Sequence, residues 1–258
     1  MLLAFDVGNT TIAVGLFSGR TLVKSWRIKT DSDRTSDEYG AILLDLMQAA
    51  GLEAGQVKGA IVSCVVPPLT PVIEAVCRIY FATDPSVVGP GLKTGMPILY
   101  ENPLEVGADR IAAAVAAFER YGGPVIVLDF GTATTFDAVS AKGEYLGGAI
   151  APGIRIAAEA LYLKTARLPR IEIRKPKRAI GRTTVASMQS GLYFGYIGLV
   201  TRTIEEIRGE LGGMARVVAT GGFGEQVAPE LRDVAAYEPD LVLEGLRIIY
   251  ERNREARA

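Results

Sequence analysis

Two short segments bring together the residue types that hold a phosphate. Asp6-Val7-Gly8-Asn9-Thr10-Thr11 follows the apolar run Met1 to Phe5, and Asp129-Phe130-Gly131-Thr132-Ala133-Thr134-Thr135 follows Pro124 to Leu128. In each, a strand-like run ends in Asp-x-Gly and a cluster of small hydroxyl or amide side chains. Glycine admits backbone conformations that a Cβ forbids, so amide N–H groups can turn toward an anion. Thr and Asn add side-chain donors, and the aspartate can hold a cation or a water bound to one. The same residue types also make tight hairpins, so either segment alone is a weak signal. The pair, each after a buried-looking strand, points to two loops that grip a nucleoside phosphate from both sides. No Gly-x4-Gly-Lys-Ser/Thr and no complete Gly-x-Gly-x-x-Gly occurs, which excludes a P-loop enzyme and leaves a dinucleotide fold unsupported.

The chain has no histidine at all. A Ser-His triad, a His-ligated zinc and an imidazole base are therefore excluded, and a general base must be a carboxylate, Lys, Tyr or Cys. Asp109, in Gly107-Ala108-Asp109-Arg110, is the candidate. It falls in the first turn of an expected helix, where a carboxylate also favours the helix dipole, and Arg110 beside it could pin a substrate carboxylate or amide. Thr220-Gly221-Gly222-Phe223-Gly224 follows an expected strand and leaves room for a nucleoside against the backbone. Gly181-Arg182-Thr183-Thr184 precedes a long helix that its threonines could cap. Ser187, Gly191 and Gly195, four apart, put small residues on one helix face, suited to close packing within the chain or across a dimer. The basic stretch Arg167, Arg170, Arg174, Lys175, Lys177 and Arg178, interleaved with Ile171 and Ile173, reads as a solvated edge strand or a loop rather than a nucleic-acid site.

These residues need a scaffold. Strands are expected over 2–7, 12–17 and 22–28, around the first Gly-containing turn and Ser18-Gly19-Arg20. The plan repeats with strands over 125–128, 135–139 and 145–150, so an internal duplication into two similar halves is expected. Thr35-Ser36-Asp37-Glu38 offers an N-cap to a helix over 39–50. Further helices are expected over 71–81, 108–121 and 183–211, the last with glycines that could break it, and further strands over 58–66 and 216–219. Strands alternating with helices give an α/β class.

At 258 residues, with 49% hydrophobic and 22% charged residues, the chain has the composition of a soluble globular enzyme. A formal net charge of −1 gives no electrostatic reason to expect nucleic acid or an anionic membrane as partner. No apolar run approaches the roughly 20 residues that span a bilayer, and the N-terminus enters a strand pattern at once, so the cytoplasm is the expected compartment. Cys64 and Cys77 read as reduced core residues.

Taken together, these motifs closely resemble the type III pantothenate kinases, of the sugar kinase, heat-shock ATPase and actin superfamily. The resemblance runs along essentially the whole chain. It is carried by Asp6 to Thr10, Asp37-Glu38-Tyr39, Gly107 to Arg110, Asp129 to Asp137, Gly147 to Gly153, Thr184 with Ser190-Gly191, and Thr220-Gly221-Gly222. The chain departs at Arg182-Thr183, where the family pattern has Lys-Asn or similar. The resemblance implies duplicated ribonuclease-H-like (actin-like ATPase) domains, residues 1–115 and 116–258, with a nucleotide cleft between them. It implies a homodimer that phosphorylates pantothenate to 4'-phosphopantothenate with ATP, the first step of coenzyme A biosynthesis. ATP would be bound by Asp6, Val7, Gly8, Asn9, Thr10, Thr11, Ile12, Ala13 and Thr132. Asp6 would hold Mg2+ or a similar divalent cation with the ATP, and Asp129 the monovalent cation, K+ or NH4+. Tyr100, Gly107, Ala108, Asp109, Arg110 and Thr184 would line the pantothenate site, with Asp109 as proton acceptor. Two other readings compete: a kinase of the same superfamily with another small acceptor, and a non-catalytic accessory or regulatory relative that only binds nucleotide or pantothenate. The intact set Asp6, Asp109, Asp129 and Thr132 argues for catalysis.

Overall fold

The computed structural model describes residues 1–255. The chain forms two compact units: Met1–Arg120 together with the segment that begins at Asp240, and Tyr121–Pro239. The halves expected from sequence are 1–115 and 116–258; in the structure the segment that begins at Asp240, the last part of 116–258, groups with the first unit.

In the first unit, β1 (Leu2–Val7), β2 (Thr11–Ser18), β3 (Thr21–Lys29), β4 (Gly59–Cys64) and β5 (Pro85–Val87) form one sheet in the order β3-β2-β1-β4-β5. β1 pairs antiparallel with β2 and parallel with β4. The helices are α1 (Ser36–Ala49), α2 (Thr70–Phe81), α3 (Ala108–Tyr121, whose last residue falls in the second unit) and, at the end of the chain, a C-terminal helix over Leu241–Glu255. Successive strand side chains alternate between faces. Leu3, Phe5 and Val7 pack with Tyr39, Leu43 and Met47 of α1 and with Ile73, Val76, Cys77 and Phe81 of α2. Leu2 and Ala4 point the other way and are buried too, and the C-terminal helix covers β1, β2 and β4. A central strand buried on both faces is expected to be near-continuously apolar, as Leu2–Phe5 is. Each fully buried Leu or Phe contributes about 1.5–3 kcal/mol of transfer free energy. The cap predicted for α1 is a complete capping box: Glu38 N donates to Thr35 Oγ1 and Thr35 N donates to the Glu38 carboxylate (2.8 Å).

The second unit repeats the plan. β6 (Val125–Phe130), β7 (Ala133–Val139), β8 (Tyr145–Pro152), β9 (Arg216–Thr220) and β10 (Val234–Tyr237) take the order β10-β9-β6-β7-β8. β6 is antiparallel to β7 and parallel to β9, so strand for strand the two sheets match. Its helices are α4 (Ile154–Lys164), α5 (Thr184–Glu210) and the short α6 (Gly224–Val227), so the C-terminal helix is α7. Ile126, Leu128 and Phe130 pack with Phe136, Tyr196, Val200 and Ile204.

α5 runs for 27 residues without a break. Gly191, Gly195 and Gly198 each cost about 1 kcal/mol against Ala in a helix, but Tyr193, Tyr196, Val200 and Ile204 anchor it at buried positions. The basic stretch after α4 has no regular structure; Ile171 and Ile173 are half-buried and Lys175 pairs with Glu230 (2.6 Å). Cys64 and Cys77 are free thiols, and burial pushes Cys77 up to about 12. Among the described residues no helix is long and apolar enough to cross a membrane.

Candidate active site

Each aspartate of the two loops is the penultimate residue of the first strand in its sheet. Asp6 stands opposite Ala13 of β2 and beside Ser63 of β4. Asp129 stands opposite Thr135 of β7 and beside Thr220 of β9. Both aspartates lie on the sheet face away from the large aromatic cluster of their unit, and in both Oδ1 is shut off from solvent. Ser63, next to Asp6, is fully buried and its Oγ has no hydrogen-bond partner among the described residues. Sequence reading passed over this hydroxyl because nothing local marks it; only the β1–β4 register brings it to the aspartate.

In the first loop Gly8 N donates to Thr11 O (3.1 Å), closing a tight turn, and Asn9, Thr10 and Thr11 are exposed. All eight residues assigned to ATP here, Asp6 to Ala13, therefore lie in one β1–β2 hairpin. The second loop is one residue shorter: four residues separate Val7 from its partner Ile12, but three separate Phe130 from Thr134. Gly153 presses on it from the end of β8, where a Cβ would lie 2.3 Å from Thr132 O. Gly221, at φ +90°, passes equally close, with room for no Cβ beside Asp129 Oδ1 (2.2 Å). Below the loop, Thr134 and Tyr196 share a buried hydrogen bond of 2.6 Å. Burial, with the nearby Asp129 charge adding to it, pushes the Tyr196 phenol up to about 12. On the other face of β7, Asp137 is buried and accepts from Tyr145 Oη (2.6 Å) and from Thr135 Oγ1 (3.2 Å).

Asp109 sits in the first turn of α3, as its sequence context predicts. Its Oδ1 accepts from Arg110 N (2.8 Å) and folds back over Gly107, so it pairs with an amide of the first turn as well. Two effects oppose each other on its pKa. Burial raises it, while the Arg110 amide and guanidinium lower it, and burial wins. The start of α3 lies beside the end of β1: a Cβ on Gly107 would be 3.7 Å from Val65, and Val65 N donates to Val7 O (3.0 Å). The candidate base and the first Asp-x-Gly loop thus share one corner of the first unit. Tyr100, half-buried in an irregular segment, belongs to the same unit. Thr184, an exposed first residue of α5, belongs to the other, and it is Thr183 that caps that helix by accepting from Ala186 N (3.1 Å).

The donors at both aspartates are carboxylate, hydroxyl and peptide oxygens, hard ligands that suit Mg2+ and K+ and not a thiophilic metal. Among the described residues no group of three His, Cys, Asp or Glu could hold a metal alone. This donor set fits a divalent ion that completes its shell with phosphate oxygens and water, the usual habit of Mg2+.

The family model for type III pantothenate kinases matches residues 2–206. The chain belongs to the type III pantothenate kinase family. A relative from Geobacter sulfurreducens, a type III pantothenate kinase, is 54% identical over 255 residues, covering 99% of this chain and 100% of the relative. Among solved structures, a conserved protein from Campylobacter jejuni described as a Baf family transcriptional activator superposes with a TM-score of 0.62 at 19% identity, covering 98% and 99% of the two chains. The inorganic polyphosphate/ATP-glucomannokinase from Arthrobacter sp. strain KM does so with 0.50 at 16% identity, covering 97% and 98%. At such identities the structures speak for the fold, the duplicated sugar-kinase and actin-like architecture, and the family carries the enzyme class: this is a phosphotransferase.

Proposed function

We propose that the enzyme transfers the γ-phosphoryl group of ATP to the primary hydroxyl of pantothenate, giving 4'-phosphopantothenate in the first step of coenzyme A biosynthesis. The observation that carries this reading is the corner of the first unit where Asp109 and the Asp6–Ala13 hairpin lie together. Phosphoryl transfer needs alignment and charge neutralisation more than covalent help. Amides and hydroxyls of Gly8 to Thr11 hold the ATP phosphates, and Thr132 is a further ATP contact. Asp6 is the residue to hold the divalent ion, which when bound neutralises phosphate charge. Asp129, with Thr220 and Thr135 as neighbours, holds the monovalent cation. Tyr100, Gly107 to Arg110 and Thr184 receive pantothenate, Arg110 facing its carboxylate.

As the hydroxyl oxygen bonds to the γ-phosphorus, the bond to the β–γ bridging oxygen breaks, ADP leaves, and the hydroxyl proton passes to Asp109. Oδ1 is engaged by the Arg110 amide, so Oδ2 takes the proton. A carboxylate whose pKa is raised by burial is a better base than a solvated one. The nucleoside fits the groove of about 440 Å3 beside the turn after β9, lined by Phe223, Gln226, Tyr162, Arg155, Ile171 and Ile173. A homodimer is supported by the exposed Val185, Phe194 and Leu199 of α5 and by Gly191 and Gly195, where a Cβ would meet nothing. The working compartment on this reading is the cytoplasm.

The test is mass-spectrometric detection of phosphopantothenate from protein, pantothenate, ATP and Mg2+ in potassium buffer, with a panel of other hydroxyl acceptors alongside. Product from pantothenate alone is expected. Product only from another acceptor, or none from folded protein, overturns the proposal.

A further inference from the structure

Thr30 lies just past the end of β3, outside both loops, and is half-buried. Its hydroxyl donates to Gly8 O (2.6 Å) and its main-chain N–H donates to Thr10 O (3.0 Å). One residue therefore holds two carbonyls of the first loop. In a planar trans peptide the C=O and the following N–H point in opposite directions. Fixing Gly8 O on Thr30 aims the Asn9 N–H away from β3, and fixing Thr10 O aims the Thr11 N–H the same way. Both amides then point to the side of the hairpin on which Thr30 does not stand, next to exposed side chains. Successive N–H groups on one side of a turn make an anion-binding concavity.

We infer that Thr30 is a positioning residue for ATP: it touches no phosphate, but its hydroxyl sets the direction of the loop amides that do. The inference rests on the reading of the first loop as the ATP phosphate site. The second unit meets the same need differently. Lys29 pairs with Thr11 and Pro152 with Ala133, so the residue equivalent to Thr30 is Gly153. Gly153 has no side chain to donate; its bare Cα instead lets the chain pack directly on Gly131 and Thr132.

Full-length Thr30→Val and Thr30→Ser are to be compared with wild type. Val keeps the β-branched shape and the main-chain N–H but lacks the hydroxyl; Ser keeps the hydroxyl. One lost hydrogen bond of this kind corresponds to about a five- to tenfold rise in the KM for ATP. The expected result is that rise in Thr30→Val, with the KM for pantothenate and the melting temperature unmoved, and recovery in Thr30→Ser. An unchanged ATP KM in Thr30→Val overturns the inference. So does a rise that comes with a lower melting temperature and a weaker hold on pantothenate and that Ser does not restore. Gly8→Ala, whose Cβ would lie 3.1 Å from Thr11 O, separates the two levels of the argument. If it raises the ATP KM while Thr30→Val does not, only the role of Thr30 falls; if neither variant moves it, the assignment of ATP to this loop falls as well.

Discussion

Thr30 and Gly153 occupy the same register position at the end of the third strand of their sheets, yet they brace the loop beside them by opposite means. Thr30 reaches across with a hydroxyl and an amide. Gly153 withdraws its side chain so that the loop backbone packs on it. The contrast extends two residues along the second strand. Opposite Asp6 stands Ala13, followed by Gly15, over which Leu243 of α7 packs. Opposite Asp129 stands Thr135, followed by Asp137, tied to Tyr145 in a buried polar cluster. A duplicated scaffold has thus been filled with apolar packing under one loop and hydrogen-bonded polar groups under the other. On the proposed assignment the loop held by packing and two hydrogen bonds takes the nucleotide phosphates. A loop pressed onto a glycine, with a buried carboxylate beneath, is suited to holding a small cation at fixed distances.

The first unit also carries Asp109, the proposed base, and the largest effect is expected there. Asp109→Asn keeps an oxygen for the Arg110 amide and should fold, while turnover falls about 10²–10⁴-fold, the usual value of a positioned base. The raised pKa of Asp109 adds a sign. Its folded pKa exceeds the unfolded one, so ionising it opposes folding: stability falls as pH rises from the ordinary Asp range to the raised value, and the cost persists above it. At neutral pH the Asn variant should therefore melt no lower than wild type. In wild type the acid limb of kcat/KM should lie above the usual Asp range. A variant that keeps its turnover would remove Asp109 from the mechanism.

Gly153→Ala comes next and strikes the second loop alone. A Cβ 2.3 Å from Thr132 O forces the backbone to shift, at a cost of about 1–3 kcal/mol typical of overpacking. Differential scanning calorimetry should show a melting temperature roughly 5 °C lower, with weakened potassium activation. The Thr30→Val effect on ATP is the smallest of the three and should leave the potassium response alone. If Gly153→Ala is silent, the two braces do not differ as described.

Much of this architecture is legible in the amino-acid sequence. The two Asp-x-Gly loops, the strands flanking them, the α1 cap and the Asp109 helix start all announce themselves through local chemistry and short apolar runs. The rest is set by register and long-range packing. β5 and β10 span only Pro85–Val87 and Val234–Tyr237, too short for a pattern. α4 begins at Gly153 without a side-chain cap and leaves Ile156 and Leu163 exposed, so its apolar residues trace no single stripe. α7 has buried Leu241, Leu243, Leu246 and Ile249, but its return to the first sheet depends on β1 and β4, more than 170 residues earlier in the chain. Thr30 and Ser63 have no motif of their own, since the groups beside them are assembled only when β3 and β4 take their places. Part of the site's chemistry is readable from sequence; the groups that aim it are not.

The proposal turns on Asp129 of the second loop holding the monovalent cation, while the first loop supplies most of the phosphate contacts and Thr132 adds one. Its most direct test is a potassium titration of phosphopantothenate formation, at saturating ATP and constant ionic strength, for wild type and Asp129→Ala. The wild-type rate should climb with potassium, and Asp129→Ala should give a flat, low line. A potassium curve that survives in Asp129→Ala, or a wild-type rate indifferent to both potassium and ammonium, would contradict it.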